Sequence, residues 1–199
     1  TNTLAGTGTS CTLVIQYAPG VPSALDADTI NISYNDGVNA QNVTRDVQGV
    51  AATPANITIS DTDPYDYGTV ATGAVVTHAF TLTNTGGFTA SALTETGLAA
   101  PFAFAGGSFP GTGGTCAATM APAAACTVVI AFAPLATGVA GDTMTIQYNN
   151  GASVVTSSRQ VQGTGASPAL ITISQTNPYD FGNVTVGATA NFTFTLNNT

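Results

Sequence analysis

Residues 75–85 read VVTHAFTLTNT, and this stretch predicts the fold most directly. Large or aromatic side chains occupy alternate positions. In an extended chain, one face therefore carries Val76, His78, Phe80 and Leu82. The opposite face carries threonine and alanine. A period of two residues is typical of a β-strand with one buried face. The stretch at 191–196, NFTFTL, alternates in the same way.

Further strand and turn signals extend this pattern along the chain. Residues 127–132 and 143–148 are rich in β-branched and aromatic side chains, as strands are. The turns NDG at 35–37 and NNG at 149–151 predict hairpins, because their central positions need positive φ. About seven short strands per domain predict an all-β, immunoglobulin-like (Ig-like) sandwich. Its predicted core includes Val76, Phe80, Leu82, Val128, Ile130, Phe132, Met144, Ile146 and Tyr148.

The chain also repeats itself. The sequence ITIS at 57–60 recurs at 171–174, and CTLVI at 11–15 recurs as CTVVI at 126–130. A period as long as a small domain predicts a tandem array of whole Ig-like domains. We therefore divide the chain into the C-terminal part of one repeat (1–53), a complete repeat (54–167) and the N-terminal part of another (168–199).

The two partial repeats pose a problem of closure. Each alone would expose an apolar face and unpaired strand edges. We expect the polypeptide to continue in both directions, with any signal or anchor outside this segment. The alternative is that terminal pieces of neighbouring molecules combine. That combination lacks the stretch equivalent to 86–116, which would carry a strand and one disulfide partner.

Composition excludes several classes of function. Only 6% of the residues are charged, lysine is absent, and the net charge is −8. Binding to a phosphate backbone needs clustered lysine or arginine, so we expect no nucleic-acid partner. No apolar run approaches the roughly 20 residues that span a bilayer, so we predict no membrane span in this segment.

Several motifs in order resemble a known family. They are YGTVATG at 67–73, TLTNTGG at 81–87, CTVVIAFAP at 126–134 and VQGTG at 161–165, together with Cys116. This set resembles the Hydin-like (ASH-type) Ig domains, in particular those of bacterial secreted "choice-of-anchor D" proteins. The resemblance implies a sandwich related to major-sperm-protein and pilus-chaperone domains. It also implies use as a non-catalytic repeat in surface or extracellular proteins.

The three cysteines are best explained by one disulfide per repeat. Cys116 and Cys126 are too far apart for a CxxC redox motif or a zinc knuckle, and no further Cys or His pair is available. We interpret them as a structural disulfide, with two buried free thiols as the alternative. Cys11 matches Cys126, and the equivalent of its partner would precede Thr1.

The most plausible metal ligands are three aspartates near a repeat junction. Asp61, Asp63 and Asp66 would offer calcium three carboxylates in one loop. The next copy has Gln175 and Asn177 in place of the first two, so we favour an ordinary turn without metal. Asp66 and its counterpart Asp180 are instead expected to accept backbone N–H bonds.

Nothing in the sequence points to catalysis. The only histidine, His78, corresponds to Phe192, which indicates a packing position, and the chain has no G-x-S-x-G elbow. We therefore predict that the chain is not an enzyme and uses no cofactor.

The predicted function is structural. We expect a non-catalytic repeat of a long extracellular or cell-surface protein, forming a stalk, fibre or filament. Its partners would be neighbouring copies packed end to end or laterally, and the disulfide would limit the extension of each domain. The alternative is an adhesin or an accessory binding module of a larger secreted protein.

Overall fold

The computed structural model describes residue 4 and residues 6–199. Within them the chain forms thirteen β-strands and one short 3-10 turn. The strands are β1 (Ser23–Asn35), β2 (Ala40–Ala51), β3 (Ile57–Ile59), β4 (Tyr65–Ala71), β5 (Val76–Asn84), β6 (Ala90–Thr96), β7 (Phe102–Phe104), β8 (Thr119–Met120), β9 (Ala125–Phe132), β10 (Gly138–Asn149), β11 (Val154–Ala166), β12 (Ile171–Ile173) and β13 (Leu196–Asn198). No helix in this described part is long and apolar enough to cross a bilayer.

Strands β3 to β11 form two sheets that pack face to face. One sheet has five strands in the order β4-β11-β10-β6-β8, and the other has four in the order β3-β5-β9-β7. All pairings in them are antiparallel except that of β4 with β11, which is parallel. Two such sheets over one core make an Ig-like sandwich, so the predicted fold class is confirmed. We call this unit the central module.

The central module has more strands than the seven or so that the sequence predicts. The additional ones are β7 and β8, which contain three and two residues. Both lie at sheet edges, in a stretch rich in glycine, proline and alanine that shows no alternation. Alternation reveals strands with one buried face, and such short edge strands do not show it.

The core lies between the two sheets and follows the predicted alternation. Of the nine predicted core residues, eight are buried, and Val76 is half-buried at the start of β5. The alternation did not reveal Phe102 and Phe104 of β7, which are also buried. The ring of Phe102 stacks on that of Phe132, with centroids 4.8 Å apart.

The flanking segments form smaller sheets. Strands β1 and β2 pair only with each other, as do β12 and β13. Some local packing nevertheless recurs. A Cβ added at Gly163 would lie 2.5 Å from the Phe132 ring, and one added at Gly49 would lie 2.8 Å from the ring of Tyr17. The repeat boundaries at 1–53, 54–167 and 168–199 stay predictions.

Replacing Phe80 with alanine tests the assignment of the core face. Phe80 is fully buried, and we expect Phe80→Ala to lower the free energy of unfolding by about 3–5 kcal/mol. The control is Val75→Ala, because Val75 is 61% exposed. Urea denaturation of both variants gives the answer, and equal stabilities would show that the wrong face had been assigned.

Candidate functional site

The loop between β3 and β4 brings a carboxylate to the only histidine of the sequence. The Asp61 Oδ2 atom lies 3.2 Å from His78 Nε2 and accepts a 2.5 Å hydrogen bond from the Ser60 hydroxyl. The His78 ring stacks on Tyr65 at 3.9 Å between centroids and meets the Phe80 ring edge-on at 4.7 Å. His78 therefore occupies the packing position that the sequence predicts, at the border of the core.

Two hydrogen bonds stabilise the charged form of Asp61. The Ser60 hydroxyl holds the pKa of Asp61 below its ordinary value, against an opposing effect of burial that is smaller than that of Ser60, and His78 lowers the pKa further by a lesser amount. The Asp61 backbone has φ of 73°, a left-handed conformation that aspartate and asparagine tolerate better than most residues. This loop is thus held onto β5 by side-chain contacts.

The same contacts argue against a nucleophilic role for Ser60. Its Oγ atom donates to Asp61 and accepts the Thr81 N–H at 2.9 Å. A catalytic serine needs a base within hydrogen-bond reach, whereas here Ser60 and His78 both bind the same carboxylate of Asp61. Ser60, Asp61 and His78 together hold the loop between β3 and β4 against the sheet.

The three calcium candidates do not converge on a common point. Asp63 Oδ1 accepts the Gln160 N–H at 2.9 Å, and Asp66 Oδ1 accepts the Gly68 N–H at 2.8 Å. Asp61, as described above, faces His78. In the described residues no group of three His, Cys, Asp or Glu side chains could hold a metal ion. These carboxylates are occupied by protein partners instead.

The expected backbone role of Asp66 recurs in the second copy. Asp180 Oδ1 accepts the Gly182 N–H at 2.8 Å, as Asp66 does from Gly68. Both glycines have positive φ, 72° and 67°, which closes the turn around the carboxylate.

Among the described residues one disulfide forms, between Cys116 and Cys126, whose Cα atoms are 4.8 Å apart. It ties the segment before β8 to the beginning of β9. Cys116 is buried, and its partner is half-buried against the core. Cys11 is exposed and forms no disulfide with the described residues.

Sequence reasoning missed the residue with the densest polar contacts, Asn84. Its side chain is fully buried at the end of β5. Its Oδ1 atom accepts N–H bonds from Asn56 and Gly86, at 3.1 and 3.0 Å. Its Nδ2 atom donates to the carbonyl oxygens of Phe88 and Met120, at 2.8 and 3.1 Å. One amide thereby joins the linker before β3, the turn after β5 and the segment at β8.

The alternation in residues 75–85 does contain a signal for Asn84. The residue continues the inward series of Phe80 and Leu82, so a polar side chain falls where an apolar one is expected. The equivalent residue of the second copy, Asn198, accepts the Leu170 N–H at 3.2 Å. This bond matches the one from Asn56 to Asn84.

Side chains of the opposite sheet cap the free edge of β3. The Ile57 N–H donates to the Tyr148 hydroxyl at 3.0 Å, and the Ser157 hydroxyl donates to the Ile57 carbonyl at 2.5 Å. Arg159 donates from its guanidinium to the Ile59 carbonyl. A free strand edge otherwise invites pairing with another chain. These bonds close that edge and hold the two sheets together.

An apolar depression of about 300 Å³ lies at the end of the central module where the chain leaves it, near residue 167. Two of its lining residues, Leu135 and Val139, are 86% and 81% exposed. None of its lining residues is titratable, the set being Ala100, Pro101, Ala133, Pro134, Leu135, Ala136, Thr137, Gly138, Val139 and Ala140. Its chemistry suits apolar contact.

Comparisons with known proteins give weak structural similarities. No family model matches the chain, and no curated protein matches it significantly. The VesB protease of Vibrio cholerae is similar over 54% of this chain and 31% of its own, at 16% identity and a TM-score of 0.45. Human CEP192 has an ASH/PapD-like domain that is similar over 59% of this chain and 88% of its own, at 17% identity and a TM-score of 0.41. The secreted serine protease VesC of Vibrio cholerae is similar over 55% and 24%, at 18% identity and a TM-score of 0.39.

The prediction that this chain is not an enzyme is contradicted by two of these similarities. VesB and VesC are proteases, and this chain spans 31% and 24% of their lengths. The prediction depended on finding no catalytic motif within the chain. A segment without such a motif can still be similar to part of an enzyme, so that absence does not decide the matter. Neither similarity assigns an activity to this chain.

Replacing Asn84 with alanine tests its role as a polar junction. Each buried polar group left without a partner costs about 1–3 kcal/mol, so we expect Asn84→Ala to destabilise the central module by several kcal/mol. The matched control is Asn198→Ala, because Asn198 is exposed. Urea denaturation followed by circular dichroism compares the two, and equal small losses would contradict the assigned role.

The Asp61 contacts predict a dependence of stability on pH. Because folding lowers the pKa of Asp61, its contribution is present above the unfolded value of about 3.9 and is lost as the pH falls through the folded value. We expect Asp61→Asn to flatten this acid-side loss while keeping the positive-φ turn. Urea midpoints from pH 7 down to pH 2 measure it, with Asp180→Asn as control. Parallel curves for wild type and Asp61→Asn would contradict the prediction.

Proposed function

We propose that this chain is part of a tandem array of Ig-like modules that acts as a load-bearing spacer in an extracellular or cell-surface protein. The observation that carries the proposal is the parallel pairing of β4 with β11. The two strands pair at five positions, from Tyr65 with Val161 to Ala71 with Ala166. Strand β4 lies near the entry of the chain into the central module, and β11 is the last strand before its exit.

This arrangement suits resistance to pulling. Tension that draws the entering and leaving chain apart acts along the β4–β11 ladder, in opposite directions on the two strands. The register shifts once, between Gln162 and Thr164, and on each side of that shift the bonds of the parallel ladder are loaded together rather than one after another. Tension from the entry side meets β3 first, and β3 is held by Tyr148, Ser157 and Arg159 as described above.

The entry linker is fixed to the module. The Gly87 N–H donates to the carbonyl and the hydroxyl oxygen of Thr53, at 3.1 and 2.8 Å. A Cβ at Gly86 would lie 2.1 Å from the Pro54 carbonyl oxygen, so only glycine lets the linker approach this turn so closely. A linker that is fixed in this way passes tension to the module without first extending.

The exit is fixed in a similar manner. The Thr72 N–H donates to the carbonyl of Ala166 at 2.8 Å, immediately beyond the parallel ladder. A Cβ at Gly165 would lie 2.1 Å from the Ala136 carbonyl oxygen. The chain therefore leaves the module pressed against its surface, which suits a semi-rigid spacer.

The disulfide has a smaller mechanical role than the sequence suggested. Cys116 and Cys126 are separated by ten positions, so the bond withholds only about 35 Å of extended chain. An unfolding module of residues 54–167 releases roughly ten times that length. Resistance to extension must come from the ladders instead.

The location outside the cell rests on the disulfide, because such bonds persist in oxidising compartments. The resemblance to choice-of-anchor D repeats belongs with this proposal. Neighbouring copies are the proposed partners.

The exposed apolar surface at Leu135 and Val139 favours a second candidate, an adhesin or an accessory binding module of a larger secreted protein. Electron microscopy of the native material separates the two candidates. An array appears as beads spaced by about 40 Å, the size of a small domain. One copy beside a catalytic or lectin domain would favour the second candidate.

Force spectroscopy on the full chain, tethered at its two ends, tests the load-bearing role. We expect Thr69→Pro to lower the unfolding force of the central module, because Thr69 pairs with Thr164 inside the parallel ladder and proline cannot donate a ladder bond. The matched control is Asn183→Pro, at the equivalent exposed position outside the assigned strands. Thermal unfolding checks that the Thr69→Pro protein folds. An unchanged unfolding force would contradict the load-bearing ladder.

A further inference from the structure

Strand β9 of the central module is longer than the strand beside it. On the outer side of the sheet, β7 pairs only with residues 130–132 of β9. Residues 127–129 have no neighbouring strand on that side among the described ones. An unpaired stretch of this kind presents N–H and C=O groups that another strand can bind. The module therefore needs a different cover for this edge.

Residues 108–116 supply that cover without forming a strand, and we call this segment the strap. The Val129 N–H donates to the carbonyl of Pro110 at 2.8 Å. The Thr115 N–H donates to the Thr127 carbonyl at 2.9 Å, and the Thr127 N–H donates to the Thr115 hydroxyl oxygen at 2.9 Å. The strap thus takes the place of a neighbouring strand.

A glycine lets the strap lie this close to β9. A Cβ at Gly111 would lie 2.2 Å from the carbonyl oxygen of Val129. Gly113 has almost the same φ, 88° against 89°, but a Cβ there would have its nearest neighbour 4.0 Å away, in the Val129 side chain. The close approach of the strap is therefore made at Gly111.

The strap is fastened at both ends. Near its beginning, the Phe109 ring meets the Phe104 ring edge-on at 5.6 Å and packs against the core. At its end, Cys116 forms the disulfide with Cys126, the second residue of β9. The Cys116 N–H also donates to the Thr127 carbonyl, at 3.2 Å. The disulfide thus joins the strap to the strand that it covers.

We propose that the edge of β9 at residues 127–129 is a strand-pairing surface occupied by the strap, and that the disulfide is the redox-sensitive lock of the strap. Reduction releases the strap, and the freed N–H and C=O groups then suit an added extended strand. This lock belongs to a single module, so it goes beyond the proposed array and does not depend on it.

Opening the lock consumes one dithiol reductant. A thiolate of the reductant attacks the sulfur of Cys126, which is half-buried, whereas Cys116 is only 6% exposed. The bond between the two cysteines breaks, and a mixed disulfide forms with the reductant. The second thiol of the reductant then displaces Cys126. The protein gains two hydrogen atoms as two thiols, and the reductant is oxidised to its own disulfide.

The inner side of β9 does not depend on the lock. Successive residues of a strand direct their N–H groups to opposite sides. Because Thr127 and Val129 face the strap, Val128 faces β5, where it lies opposite Phe80. Ile130 also faces β5. Loss of the strap therefore exposes one set of amides and leaves the other set paired.

Amide hydrogen exchange resolved by NMR, before and after reduction with dithiothreitol, tests the lock. We expect the N–H groups of Thr127 and Val129 to exchange about tenfold faster after reduction, and those of Val128 and Ile130 to stay within about twofold. Equal acceleration of both pairs would show that the disulfide supports the whole module instead. No acceleration would show that the strap stays closed without its lock. Either result would overturn the inference.

The double variant Cys116→Ser, Cys126→Ser repeats this measurement without a reductant. We expect the same difference between the two pairs of amides, because the variant lacks only the lock. A variant whose amides exchange as slowly as those of the oxidised wild type would contradict the proposal.

Glycine substitutions test the strap in the oxidised protein. We expect Gly111→Ala to push the strap away from Val129, so that the Val129 N–H exchanges faster while the Val128 N–H does not. The matched control is Gly113→Ala, because it places alanine at the same positive φ without the close contact. Equal exchange of the Val129 N–H in the two variants would overturn the assigned contact.

Discussion

An open sheet with one apolar face is stable only when a second sheet covers that face. In the central module this cover is complete, since Met144 and Ile146 of one sheet and Phe80 and Ile130 of the other are all fully buried. The remaining features depend on this closure. The bonds that cap the edge of β3 and the bond from Asn84 to Met120 each join one sheet to the other.

The flanking segments show what the same sequence motifs do without closure. The turn carboxylates, the aromatic stack at Tyr179 and the Asn198 bond form as in the central module, because their partners are near in sequence or in the same half. The apolar faces stay exposed, as at Leu196 and Ile15. The local motifs are therefore present in both places, whereas burial occurs only where a second sheet covers the apolar face.

The core and the turns could be predicted because both follow from local patterns, namely alternation around Phe80 and a carboxylate two residues before a glycine. The role of Asn84 could not, since its partners reach as far as Met120 and depend on how the sheets pack. Capping of β3 by Arg159 spans a still longer separation. The question of enzyme activity was misjudged for another reason, because the absence of a motif within a segment says little about the protein around it.

Amide hydrogen exchange of the full chain at low concentration tests most directly whether closure determines stability. The account predicts slow, cooperative exchange in β5, β10 and β11, and fast exchange in β13, β1 and β2, although these strands match in sequence. Equally slow exchange in the flanking strands would contradict the account, because those strands would then be stable without a cover.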